Sequence, residues 1–198
     1  MTSHHPHNLP AWAVSLSRHL RRLWRDRSGA SAIEFAMLSM VFFMMLLMMV
    51  QTSLVSLQQH LLDNATTTAI RSIVLGTVQS SNTLTASDFK TKFVCPNLMG
   101  LFDCSRVIVE ARVTDDGANF DPAAWASSTP SDAGTIPYCV GAAGEYAFLR
   151  IAYPAPLVAA GVMPSSVFDT YKGDTVVMLQ SFGALRVEPV GVKRVGAC

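Results

Sequence analysis

The sequence predicts an α+β protein in which one long apolar helix near the N-terminus extends into a domain with an antiparallel β-sheet. Three observations lead there. From Ala30 to Leu57 no proline or glycine interrupts the chain, and Phe35–Val50 is almost wholly apolar. Apolar residues then keep a helical spacing as far as Ile73. Beyond Cys104 the period changes: short runs of alternating apolar and polar residues are separated by turn residues, with no long helix between them. That is how an antiparallel sheet reads.

Residues 1–29 form a basic leader. Arg18, Arg21, Arg22, Arg25 and Arg27 stand against Asp26, a charge of +4, while the remainder carries ten basic and thirteen acidic residues, or −3. A basic segment ahead of an apolar run stays on the cytoplasmic side, and the chain beyond the run crosses the membrane. His4, His5, His7 and His19 lie in the leader and read as a solvated tail rather than a metal site. Residues 30–57 form the predicted transmembrane helix. At about 1.5 Å per residue they reach roughly 42 Å, against a hydrocarbon core of about 30 Å. A cleaved secretory signal would be shorter and followed by a small-residue cut site, and neither feature is present. Residues 58–198 are then an outer, extracytoplasmic domain.

The helix is expected to continue outward. Leu54, Leu57, Leu61, Leu62, Ala65, Ala69 and Ile73 make an apolar stripe, with Gln58, Gln59, Asp63 and Arg71 between them and Gly76 as the stop. This half of the helix should cover one face of the sheet. Val78–Ala86 reads as a loop, and a short helix runs from Ser87 towards Cys95, ended by Pro96. Val107–Val113 alternates as a half-buried strand, and 115–137 reads as a long surface loop. Glu145–Tyr153 is a second strand, stopped by Pro154 and Pro156. Tyr171–Asp174 is a turn leading into a third strand, Thr175–Phe182, with a bend at Gly183 and a continuation over Leu185–Val187. The sequence holds no internal repeat.

All four cysteines, Cys95, Cys104, Cys139 and Cys198, come after the apolar run. In an oxidising compartment an even count reads as two disulfides, with three pairings open. The short separation of Cys95 and Cys104 favours their link, which leaves Cys139 with Cys198. No cysteine has zinc-ligand spacing, and no basic stripe points to nucleic acid. His60 is the lone histidine of the outer part, and no nucleophile motif accompanies it, so neither catalytic residues nor a cofactor are expected. Asp115, Asp116, Asn119 and Asp121 around Gly117 lack the spacing and distal glutamate of a calcium loop and read as a solvated turn.

The informative segment is Ser28-Gly29-Ala30-Ser31-Ala32-Ile33-Glu34-Phe35. A carboxylate in a membrane helix costs on the order of 2–3 kcal/mol on insertion scales, so Glu34 marks function by default. Gly29, between the arginines and the helix, offers a peptidase an unhindered bond. Together these residues resemble a class III, prepilin-type signal. Arg25–Ala36 is similar to the start of TadE-like proteins, minor pilins or pseudopilins of the tight-adherence (Tad/Flp) pilus system. Phe148–Pro156, Gly183–Pro189 and the placement of Cys95 and Cys104 resemble that family as well, whereas the long leader, Cys139 and Cys198 depart from it.

The resemblance implies a pilin-like fold and cleavage after Gly29 by a prepilin peptidase, with Ala30 the new N-terminus. It implies that Glu34, next to Phe35, neutralises the N-terminal amine of a neighbouring subunit. It further implies a bacterial inner-membrane location with the outer domain in the periplasm, or a place in the pilus fibre itself. The partners implied are other Tad pilins and pseudopilins and the inner-membrane assembly platform. The expected role is assembly or initiation of a Tad (Flp, type IVc-like) pilus used in surface adherence. A second class of function stays open: a stationary single-pass anchor whose outer domain binds an envelope partner. Loss of residues 1–29 separates the two.

Overall fold

The computed structural model describes residues 29–81, 83–114, 120–130, 138–157, 168–188, 191 and 193–198. The arginines and histidines of the leader, with Asp115, Asp116, Gly117 and Asn119, lie outside the described residues. The chain divides into two compact units, Met1–Met48 and Met49–Cys198.

A single 45-residue helix, α1 (Ala30–Val74), begins in the first unit and ends in the second. It is the one helix among the described residues that is long and apolar enough to cross a membrane. In the first unit its side chains point outward without cover: Phe35 is 73% exposed and Leu38 72%. Serine and threonine hydroxyls along α1 donate to carbonyls one turn back, Ser39 to Ala36 O at 3.0 Å, Ser53 to Met49 O at 2.8 Å and Thr66 to Leu62 O at 2.8 Å.

In the second unit, Leu62, Ala65, Ala69 and Ile73 are buried while Asp63, Asn64, Thr67, Thr68 and Arg71 face out. The buried stripe packs with Val109, Ala111, Leu149, Ile151 and Leu179 of the sheet. Burying a leucine or isoleucine is worth about 1.5–3 kcal/mol, which is more than helix propensity supplies per residue. The stripe therefore decides which face of α1 meets the sheet. The helix ends at Val74, and Gly76 takes a left-handed φ of 71°, open to glycine at little cost. Two short helices come next, α2 (Thr77–Ser80) and α3 (Ala86–Phe89), the second capped by the Thr85 hydroxyl accepting from Asp88 N–H at 3.1 Å. A π-helical turn, Lys90–Val94, and a 3-10 turn, Cys95–Asn97, lead into a disulfide from Cys95 to Cys104, Cα atoms 5.9 Å apart.

The sheet contains β1 (Ile108–Thr114), β3 (Tyr146–Pro156), β4 (Asp169–Tyr171) and β5 (Asp174–Arg186) in the order β1-β3-β5-β4, every pairing antiparallel. A two-residue turn, Lys172–Gly173, joins β4 to β5, with φ of 51° and 89°. Such a turn with both φ positive matches the twist of the strands. The short strands β2 (Cys139–Val140) and β6 (Val195–Gly196) pair with each other, and Tyr138 bridges to Ala111 of β1. A second disulfide, Cys139–Cys198 with Cα atoms 5.1 Å apart, fixes this small ribbon.

Five expectations need correction. The stretch Val78–Ala86, expected as a loop, begins in helix α2, with Val78 buried. The segment 115–137 contains a helix, α4 (Pro122–Ser127), capped by Asp121, whose carboxylate accepts from Ala123 N–H at 2.9 Å and Ala124 N–H at 3.1 Å. Asp121 is thus a helix cap, and Trp125 is buried where a surface loop was expected. Pro154 and Pro156 lie within β3 rather than stopping it. The ladder with β1 ends at Ala152, so beyond it β3 is paired with β5 alone among the described residues, and a strand edge tolerates a missing N–H. Gly183 does not bend β5; the strand runs through it to Arg186. Finally, β1 is buried on both faces over Ile108–Ala111 rather than half-buried, because a second layer containing α4 lies on the face away from α1.

Candidate functional site

At the start of α1, Gly29 is exposed, and a Cβ built on it would meet nothing within 4 Å. Its φ is not in the left-handed region, so the fold places no demand for glycine there. Four residues on from Ala30, Glu34 lies about one turn and 6 Å up the helix, on the same side. Its side chain is exposed and has no hydrogen-bond or ion-pair partner among the described residues. Phe35 beside it is equally open. Glu34 is the lone Asp, Glu, Lys or Arg between Ala30 and Leu62. The arrangement is therefore an uncompensated carboxylate set one turn inside an apolar helix, behind an unobstructed glycine.

Residues 29–71 match the family model described as TadE-like protein. The match covers 43 of the 198 residues, and over that stretch the chain is similar to TadE-like proteins. The similarity points toward the Tad pilus system. No curated protein and no solved structure matches the chain significantly. The matched segment includes Gly29, Ala30, Glu34 and Phe35 and ends within the buried stripe of α1.

The second unit brings the cysteines together as Cys95–Cys104 and Cys139–Cys198. Asp103 steadies the first loop. Its carboxylate accepts from the Ser105 hydroxyl at 2.7 Å and the Ser105 N–H at 2.9 Å, and these bonds hold its pKa below the ordinary aspartate value. Among the described residues no three His, Cys, Asp or Glu side chains gather as a metal site.

One polar cluster was not anticipated. Arg150 is 2% exposed and Glu110 1%, on adjacent strands of the face away from α1. Arg150 donates through Nε to Glu110 Oε2 at 2.9 Å, and its Nη2 also pairs with that oxygen. Its Nη1 donates to the carbonyls of Trp125 and Ser128, each at 2.8 Å, and the guanidinium lies 4.9 Å from the Trp125 ring. The Glu110 pair joins β3 to β1, and the contacts with Trp125 and Ser128 tie the α4 segment to the sheet. The available signal was an arginine between Leu149 and Ile151, in a run otherwise apolar on both sides.

Proposed function

We propose that this TadE-like chain is a minor pilin or pseudopilin that contributes to assembly or initiation of a Tad pilus. Its leader is cut between Gly29 and Ala30 by a prepilin peptidase, and Glu34 pairs with the N-terminal amine of a neighbouring subunit. The observation that carries the reading is that the fold gives no reason for glycine at 29, where any side chain would meet open space. The demand then comes from a partner that handles this bond. Glu34 supports the same conclusion. An unpaired carboxylate in an apolar helix costs free energy unless an opposite charge meets it. A neighbour displaced by roughly one helical turn brings its amine there. In this reading the helix holds the precursor in the inner membrane, with the outer domain on the periplasmic side.

The test is the intact mass of the protein purified from cells carrying the pilus system. A chain beginning at Ala30 supports the proposal, and Gly29→Trp should leave the precursor uncut. A mature chain that still contains Arg25 would overturn it and favour the stationary anchor.

A further inference from the structure

We propose that the outer edge of β5 accepts an added strand from another exported polypeptide, and that a cavity bordering this edge takes one bulky apolar side chain of that strand. The site lies wholly within the second unit; its geometry does not depend on the pilin reading, and only the occupant's being exported rests on the proposed placement of that unit outside the cytoplasm.

The edge is open over most of its length. β4 pairs with Asp174–Val176 only, so from Val177 to Arg186 β5 has β3 on one side and no strand on the other among the described residues. Two contacts establish which backbone groups face outward. Asp174 closes the Lys172–Gly173 turn opposite Tyr171 and so directs its N–H and C=O toward β4. On the same side, Gln180 O accepts from Gln59 Nε2 at 3.0 Å. The N–H and C=O of one residue leave a strand together, and successive residues alternate. Met178, Gln180, Phe182, Ala184 and Arg186 therefore present their backbone groups to the outer edge. Gln180 O is the one group of that row with a partner among the described residues.

Natural edges are blunted by proline, inward charge, bulges or short length. Val177–Leu185 contains no proline and no charged residue, and among the described residues the cover on its outward backbone groups is Gln59 of α1 at Gln180 O. Beside the row, a cavity of about 300 Å³ is lined by Trp125, Ala126, Phe148, Phe182, Gly183 and Ala184. Phe182 is 45% exposed at its mouth, and Trp125 meets it edge-on at 5.9 Å between ring centroids. Added strands bind through this combination: main-chain bonds along the edge give affinity, and a pocket for an alternate side chain gives specificity. The same chemistry selects the occupant. Evenly repeated N–H donors and C=O acceptors are matched by another backbone, which excludes a glycan or a lipid, and the apolar lining selects an aromatic or large aliphatic residue.

Amide exchange resolved by NMR, on the full chain in detergent micelles, tests this. The probe is a short synthetic peptide alternating threonine and valine with a central tryptophan; a second peptide carries aspartate at the centre. In the free protein the amides of Gln180, Phe182 and Ala184 should exchange quickly, and those of Leu179, Ser181 and Gly183 slowly. The tryptophan peptide should slow the first set about tenfold or more, equivalent to about 1.4 kcal/mol, and the aspartate peptide much less. Ala184→Pro removes an outward donor while leaving the bonds to β3, and should abolish the slowing. Ala184→Lys should do the same without altering the backbone, should the proline loosen the strand. The proposal fails if the outward amides are already protected, if the peptide leaves them unchanged, or if Ala184→Lys responds as the unmodified chain does.

Discussion

Replacing Gly183 tests the seat of α1 on the sheet. A Cβ at this position would lie 1.9 Å from Ile70 Cδ1 and 2.8 Å from Ile70 Cγ1. Rotation about χ2 of Ile70 can withdraw Cδ1, but Cγ1 moves only with χ1, which is stiff in a β-branched residue on a helix. Gly183→Ala must therefore push α1 from β5 or drive Ile70 from its rotamer, an overpacking cost of about 1–3 kcal/mol. Restricting the unfolded chain returns about 0.4–1 kcal/mol, since Gly183 is not left-handed. The net loss is about 1–2 kcal/mol, or a fall in Tm of about 2–8 °C for a unit the size of Met49–Cys198. Thermal unfolding of the full chain in detergent, followed by near-ultraviolet circular dichroism, gives the value. The decisive comparison is Gly183→Ala in an Ile70→Ala background, where the added methyl should cost little, a coupling of about 0.5–3 kcal/mol. An identical penalty in both backgrounds would refute the packing argument.

Three other outcomes are expected. Glu34→Ala should insert in the membrane at least as well as the unmodified chain and still be cut after Gly29, yet fail to co-purify with pilus components. Normal co-purification removes the registry role. Arg150→Met should cost about 3–5 kcal/mol in chemical denaturation, because it removes the guanidinium against which the Glu110 carboxylate is buried, whereas Glu110→Leu combined with Arg150→Met should recover most of that loss. An equal loss in the double variant would show that the charge is not the cause. Tyr138→Phe should keep or raise stability at neutral pH, since the Tyr138 hydroxyl is buried without a hydrogen-bond partner among the described residues. Burial and the nearby Asp88 hold the Tyr138 phenol above its ordinary value of 10.0. The unfolded phenol therefore ionises first as pH rises past about 10, and stability present below that pH declines above it. The phenylalanine variant should lose that part of the decline, and an unchanged alkaline slope would count against the assignment.

Where period and composition act over many residues, the sequence was readable. The apolar run of α1, its buried stripe and the strand alternation all come from repeated spacing, and Lys172–Gly173 came from turn chemistry. The errors lie where one residue's neighbours decide the matter. Whether Pro154 stops a strand depends on where β1 ends, and Gly183 bends or passes according to what Ile70 needs. Strand β4 is three residues long and carries no pattern of its own. Helix α4 was hidden because the proline, serine and aspartate around it are common to loops and helix starts alike, and its stability comes from Trp125 packing on Phe182 and Arg150. At the N-terminus, Gly29 and Glu34 stood out because each is an unsuitable choice for a plain membrane helix. The β5 edge could not be seen from the sequence, since an unpaired edge is a property of what lies beside a strand.

The backward hydrogen bonds along α1 affect what the helix can sense. Between Ala32 and Val50 the polar side chains are Glu34 and Ser39, and Ser39 already donates to Ala36 O. A serine satisfied by its own backbone asks nothing of its surroundings, so this stretch can pass between lipid and a protein bundle without exchanging a single hydroxyl bond. Methionine and leucine packing differs little between those two environments. Of the side chains between Ala32 and Val50, the Glu34 carboxylate is then the one whose free energy would change on such a transfer.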